Sequence, residues 1–122
     1  MPAARRDLVI EVGASKQVDF TYSNFQRMPF DLTTWGARMQ IRKTISEPTA
    51  PVTLTHDNGG IVFDLSKPGH FSIRITDAQT LAIAAAMRFG VYDLWMDPDG
   101  IPSTNSRRVL EGEVRLVLPV TR

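Results

Sequence analysis

The sequence contains no cysteine, which excludes a disulfide scaffold, a cysteine-based zinc ribbon and a cysteine nucleophile. It also lacks an excess of charge, because 14 basic residues face 13 acidic residues and the net charge is +1. A nucleic-acid partner bound through a general electrostatic field is therefore not expected. No apolar run approaches the roughly 18 residues that span a bilayer, so no membrane partner is expected. The opening residues lack the apolar stretch of a signal peptide, and we expect the protein to be made and kept in a cytoplasm, or assembled there into something larger.

The composition that remains is typical of one folded domain. The chain has 122 residues, of which 43% are hydrophobic and 22% are charged. Prolines and glycines are spread along the chain instead of gathering in a linker. We therefore predict a single domain over residues 1–122, with short flexible arms at 1–6 and 119–122.

Apolar residues recur at every second position in most segments. This alternation is typical of a strand that covers a core on one side. The clearest examples are Leu8, Ile10 and Val12, then Val18, Phe20 and Tyr22, then Trp35, Ala37, Met39 and Ile41. The pattern predicts an all-β fold, an antiparallel sandwich of about eight strands, with a closed barrel as second choice.

Local signals mark turns and one helix in the middle of the chain. Asn58-Gly59 lies between two alternating runs and predicts a hairpin. Residues 66–69, with the sequence Ser-Lys-Pro-Gly, predict a second turn. Thr76 and Gln79 have the spacing of a capping box, and the alanine-rich residues that follow predict a short helix near 77–86.

The last third predicts a hairpin of two longer strands. Residues 91–96 alternate, Asp-Pro-Asp-Gly at 97–100 predicts a turn, and residues 107–118 return as the longest strand. Gly112 falls on the inward side of that strand, which indicates a bulge or a closely packed neighbour. Asp97, Asp99 and Gly100 also resemble the opening of a calcium loop, but the twelfth position is Arg108 where a glutamate is required.

Candidate catalytic and metal-ligating residues are few. His56 and His70 are the only histidines, and their spacing does not require a metal site. Glu111 and Glu113 could form a carboxylate pair, yet their alternation with apolar residues indicates a solvated strand face. The sequence has no serine elbow, phosphate loop or dinucleotide motif. We therefore expect a protein that is not an enzyme and has no catalytic residue, cofactor or bound metal.

Protein binding is better supported. The loop at 25–30 places Phe25, Met28 and Phe30 among polar neighbours, and such a cluster indicates either a protein contact or a cap over the core. Trp95 lies on the opposite face from Tyr92, so one of the two faces outward. The predicted interface consists of Phe25, Met28, Phe30, Trp95, Ile101, Arg107 and Arg108, with residues 101–106 as a second contact.

Several motifs together resemble a known family. They are residues 7–15 (DLVIEVGAS), 29–35 (PFDLTTW), 37–42 (ARMQIR), 58–61 (NGGI), 90–94 (GVYDL) and 110–114 (LEGEV). This set resembles small immunoglobulin-like virion proteins of tailed bacteriophages, similar to the amino-terminal domain of upper baseplate proteins. The likeness covers nearly the whole chain, but the long carboxy-terminal region of larger relatives is missing.

The resemblance implies an immunoglobulin-like sandwich and a structural role in the virion. We expect an assembly or adaptor subunit of the tail, baseplate, collar or fibre-attachment region. Its partners would be other virion proteins and copies of itself in an assembled ring. The alternatives are a capsid decoration or head–tail joining protein, and a carbohydrate- or metal-binding module in which Trp95 or Tyr92 stacks on a sugar.

Overall fold

The alternating segments form nine strands and one helix in the computed structural model, which describes residues 4–23, 26, 28–46, 48 and 50–118. The strands and the helix are β1 (Ala4–Arg5), β2 (Leu8–Glu11), β3 (Lys16–Thr21), β4 (Gly36–Arg42), β5 (Val52–Thr55), β6 (Ile61–Phe63), β7 (His70–Ile75), α1 (Asp77–Ala86), β8 (Phe89–Asp97) and β9 (Arg107–Val117). No helix in these ranges is long and apolar enough to cross a membrane.

The strands form two sheets that enclose one core. The larger sheet has the order β1-β9-β8-β4-β5, with β2 also pairing with β9, and the smaller has the order β3-β7-β6. The inward residues of both sheets are buried, as the alternation predicts. Ile10, Met39, Ile41, Leu54, Ile73, Leu94 and Val114 are among those with 1% exposure or less. The predicted sandwich is confirmed, and the β8–β9 hairpin is present.

The larger sheet is mixed, whereas the sequence predicts only antiparallel pairs. Both β1 and β2 run parallel to β9, with Ala4 opposite Leu110 and Leu8 opposite Val114. The predicted free arm at 1–6 is therefore wrong for Ala4–Arg5, which form a strand. Residues 1–3 and 119–122 lie outside the described residues. Pairing of the amino-terminal segment with β9 satisfies backbone groups that would otherwise form an open sheet edge.

A hairpin between β5 and β6 is not formed, and this prediction was wrong. β5 pairs with β4 in the larger sheet, while β6 pairs with β7 in the smaller sheet. The Asn58 side chain accepts hydrogen bonds from the Thr55 and Gly60 amides and donates one to the Thr53 carbonyl. These bonds stabilise a turn that carries the chain from one sheet to the other. Gly59 provides the positive φ, +79°, that this turn requires.

The helix lies at the predicted position, Asp77–Ala86. The Thr76 hydroxyl accepts a hydrogen bond from the Gln79 amide, and the Gln79 side chain accepts one from the Thr76 amide, which completes the capping box. Thr80 and Ile83, on the inner side of the helix, are fully buried. The Thr80 hydroxyl also accepts a hydrogen bond from the Gly13 amide, so α1 is attached to the turn after β2.

Gly112 allows the amino-terminal segment to lie against β9. A Cβ atom at this position would lie 2.2 Å from the Arg6 carbonyl oxygen and 3.0 Å from the Tyr92 ring. The break between β1 and β2 falls beside it, where the Glu113 amide donates to the Asp7 carboxylate at 2.9 Å. The close neighbour predicted for Gly112 is thus the backbone of the amino-terminal segment.

We predict that Gly112→Ala destabilises the fold by about 1–3 kcal/mol, because backbone must move to admit the methyl group. Urea unfolding measures the effect. The control is Glu113→Ala, which removes an exposed ion pair on the same strand and should change stability by less than about 1 kcal/mol. Equal stability of the Gly112→Ala variant and the wild type would contradict the close packing.

Tyr92 is expected to lower the free energy of unfolding at alkaline pH. Burial raises the pKa of Tyr92 to about 12, and its hydroxyl donates a hydrogen bond to the Arg6 carbonyl. The unfolded chain releases this proton near pH 10.0 and the folded chain does not. The contribution is therefore complete below pH 10 and is lost as the pH rises towards 12. Urea unfolding of wild type and Tyr92→Phe should give free energies whose difference changes over this range. A constant difference would contradict the assignment.

Candidate functional site

The outer face of the larger sheet carries a row of residues centred on Trp95. The register places Arg38 opposite both Thr55 and Trp95, and Trp95 opposite Arg108. These four residues come from β5, β4, β8 and β9 in spatial order, so they form a line across the sheet. We call Thr55, Arg38, Trp95 and Arg108 the tryptophan row.

A second row runs parallel to it, two residues away along the strands. Gln40 is opposite Thr53 and Asp93, Asp93 is opposite Glu111, and Glu111 is opposite Arg5. We call Thr53, Gln40, Asp93, Glu111 and Arg5 the acidic row, after its two central carboxylates. Two residues of a strand span about 7 Å, which is therefore the distance between the two rows.

A buried carboxylate orients the central cation of the tryptophan row. Asp97, two residues after Trp95, is 2% exposed, and it accepts a hydrogen bond from Arg38 Nε at 3.3 Å and another from the Ser106 hydroxyl at 2.6 Å. The Arg38 guanidinium lies 5.1 Å from the centre of the Trp95 ring. Arg38 is thus held by an ion pair and a cation–π contact at once.

Exposed ion pairs connect the rest of the face. Arg108 is 3.5 Å from Glu111, and Arg5 is 3.6 Å from Glu113 and 3.3 Å from Asp7. These side chains are between 40% and 70% exposed. Such pairs add little to stability, so their charges can rearrange towards a partner.

The two rows line a groove of about 770 Å³ on the outer face. Its lining includes Arg5, Arg38, Arg42, Ile45, Trp95 and Arg108. Ile45 is 89% exposed at one side of the groove. An aromatic ring among arginines, with an exposed aliphatic group beside them, is a composition enriched in protein interfaces.

The structure brings two of the predicted interface residues together. Trp95 is half-buried and lies in the groove. Tyr92 is buried, so the predicted placement of these two residues on opposite faces of β8 is confirmed. Arg108 is its neighbour on β9. Arg107, opposite Met96, and Ile101, in the loop after β8, are both exposed but are not among the described residues that line the groove.

The structure describes two of the three predicted interface residues in the loop at 25–30. Phe25 lies outside the described residues. Met28 is 60% exposed. Phe30 packs against the core, with its ring centroid 4.6 Å from that of Tyr22 and 5.4 Å from that of Trp35. Phe30 is thus partly buried against the core, as the core-cap alternative predicts, and its place in an interface stays a prediction.

The predicted interface does not include Arg38, Gln40 or Asp93, and the sequence predicts no role for Asp97 in orienting Arg38. Arg38 and Gln40 alternate with apolar residues, which predicts only an ordinary outward strand face. Asp97 belongs to the predicted turn at 97–100, which does form: the Gly100 amide donates to the Asp97 carbonyl at 2.9 Å. The available signal was that Asp97 has the same parity as Trp95 on β8, which places its side chain on the outer face.

The other polar candidates have roles within the fold. Hydrogen bonds from the Ser103 hydroxyl and the Asn105 amide lower the pKa of Asp99, so this carboxylate organises the loop after β8. His56 accepts a hydrogen bond from the Ala37 amide at 3.1 Å, and His70 lies 3.4 Å from the Thr21 hydroxyl. The described part of the chain contains no group of three or more side chains suited to hold a metal ion.

Comparisons with known proteins concern the fold alone. No family model and no curated protein matches the chain. One similar solved structure is a strand-swapped dimer of the immunoglobulin-like domain of mouse leukocyte-associated immunoglobulin-like receptor 1. The two are 14% identical with a TM-score of 0.45, over 91% of this chain and 88% of that chain. The predicted β-sandwich is confirmed by the two sheets of the structure itself.

We predict that Asp97→Ala destabilises the fold by about 1–3 kcal/mol, because Ser106 and Arg38 lose a buried acceptor. The same change, made in a Trp35→Phe background so that the emission comes from Trp95, should alter the fluorescence of Trp95, since Arg38 is no longer fixed over the indole ring. Asp99→Ala, a carboxylate two residues away in the exposed part of the loop, is the control and should leave the Trp95 emission unchanged. An unchanged emission in Asp97→Ala would contradict the positioning role.

Proposed function

We propose that the protein is a non-enzymatic structural subunit of a tailed bacteriophage virion, an assembly or adaptor subunit of the tail, baseplate, collar or fibre-attachment region. The observation that carries the binding role is the fixed Arg38–Trp95 pair on the outer face of the larger sheet. The virion location is supported by the sequence motifs and by their resemblance to phage proteins.

The Arg38–Trp95 pair has the properties of a protein-binding centre. Tryptophan and arginine contribute most often to the binding energy of protein interfaces. Arg38 is 36% exposed and is oriented by the buried Asp97, so little side-chain entropy is lost when a partner binds. The partners in this proposal are other virion proteins and copies of the chain itself.

The carbohydrate alternative is less favoured by the positions of the two aromatic residues. Tyr92 is 3% exposed and its ring belongs to the core, so it does not offer a stacking surface. Trp95 has the Arg38 guanidinium over its ring, which leaves at most one ring face for a sugar. A capsid decoration or head–tail joining role would use the same surface at another location in the virion.

We predict that Trp95→Ala prevents incorporation into particles while the monomer stays folded. Phage lacking the gene is complemented with wild-type or variant protein, and purified particles are tested by quantitative mass spectrometry. Separate head and tail fractions distinguish a tail subunit from a decoration protein. Leu81→Ala is the control, since Leu81 is 55% exposed on α1, away from the groove.

Two outcomes would contradict the proposal. The first is absence of the wild-type chain from purified particles. The second is incorporation of a folded Trp95→Ala protein at the wild-type level, which would show that the groove is not the binding surface. Urea unfolding of each variant establishes that loss of incorporation is not loss of fold.

A further inference from the structure

The two rows on the outer face differ in their hydrogen-bonding character. The tryptophan row offers donors across three adjacent strands: the Arg38 guanidinium, the Trp95 indole N–H and the Arg108 guanidinium. The acidic row offers acceptors on the same three strands: the Asp93 and Glu111 carboxylates and the second lone pair of the Gln40 amide oxygen, which already accepts one hydrogen bond from Arg42. Each donor thus lies two residues along its strand from an acceptor, except that β9 has one additional residue at the bulge between Arg108 and Glu111.

We propose that two copies of the chain associate through this outer face, about a two-fold axis that lies between the two rows and runs across the strands. This inference rests on the proposed function, because it uses the same face, and it names a second copy as the partner. A rotation about this axis turns one face onto the other and exchanges the rows. Each strand then faces the same strand of the second copy.

The exchange places donors opposite acceptors at all three strands. Arg108 faces the partner's Glu111, Trp95 faces the partner's Asp93, and Arg38 faces the partner's Gln40. Because the operation is a two-fold rotation, every contact occurs twice. Arg108 and Glu111 of the two copies then form a ring of alternating charge, with the existing 3.5 Å pairs on two of its sides.

The charges also select the direction of the axis. A two-fold axis parallel to β8 would keep each row opposite itself and exchange β4 with β9. Arg38 would then face the partner's Arg108 at both ends of the interface, and like charges in contact oppose association. Facing sheets pack with their strands roughly aligned, so these two axes are the ones to compare. Of these two axes, the one between the rows places unlike charges opposite one another.

The charge balance of the face favours a second copy over a partner of uniform charge. The groove is lined by four arginines, Arg5, Arg38, Arg42 and Arg108, and by three carboxylates, Asp93, Glu111 and Glu113. A strongly acidic partner would face the carboxylates of the acidic row, and a basic partner would face the tryptophan row. A second copy carries both signs in the complementary order.

Charge reversal tests the proposal in two steps. Arg108→Glu and Glu111→Arg each create two like-charge contacts in the homodimer, and each should weaken self-association by at least about tenfold. Sedimentation equilibrium of the full chain measures it, at low and high salt, and the wild-type dimer should weaken as salt rises. Lys67→Glu, a charge reversal in the turn between β6 and β7, is the control and should dimerise like wild type.

Mixing the two variants is the deciding experiment. In a mixed dimer, Glu at 108 of one chain faces Arg at 111 of the other, and Arg108 of the second faces Glu111 of the first. Both contacts are then complementary. A fluorescently labelled Arg108→Glu chain should therefore bind Glu111→Arg with near wild-type affinity, although neither associates with itself. Urea unfolding of each variant confirms that its monomer is folded.

Three results would overturn the inference: a wild-type chain that stays monomeric up to millimolar concentration, self-association that neither reversal weakens, or variants that fail to associate when mixed. The measurement of incorporation into purified particles distinguishes failure of the dimer from failure of the virion role. Loss of Trp95→Ala from particles with a monomeric wild type would leave the virion role intact and remove the dimer. If the two variants associate when mixed but the wild-type chain is absent from particles, the dimer is supported and the virion role is contradicted.

Discussion

The alternation of β8 is the constraint on which the rest of the structure depends. Tyr92, Leu94 and Met96 face the core and are 3% exposed or less, and their burial is the dominant favourable term for this strand. The same alternation places Asp93, Trp95 and Asp97 on the outer face. A slip of one residue would turn two carboxylates into the apolar core and expose the apolar set, so the core fixes the position of the site.

Features set by neighbouring residues were predictable from the sequence. The helix at 77–86 follows from Thr76 and Gln79, three residues apart, and the β6–β7 turn follows from Pro68 and Gly69. In each case, the hydrogen-bonding groups and the backbone they satisfy lie within a few residues. Local chemistry is sufficient there, because any fold that contains these segments must satisfy the same backbone groups.

Features set by distant residues were not predictable in the same way. Asn58-Gly59 forms a turn both in a hairpin and in a connection between two sheets. Only the packing of both sheets decides whether the next strand joins the first sheet or the second. Ala4–Arg5 carry almost no pattern, and their strand exists because Gly112 leaves space beside β9. The Arg38–Asp97 pair joins residues 59 positions apart. In the sequence, only the outward position of each residue in the alternation of its strand indicates that the two share a face.

Burial of Asp97 connects the stability of the fold with the geometry of the groove. A buried carboxylate is unfavourable unless its charge and its lone pairs are satisfied. Ser106 satisfies one oxygen from the loop after β8, and Arg38 satisfies the other from β4. The requirement to neutralise Asp97 therefore determines where the Arg38 guanidinium lies, and Trp95 is the surface beneath it. A substitution at Asp97 or Ser106 would thus change the binding face through the position of Arg38, although Asp97 is itself hidden from a partner.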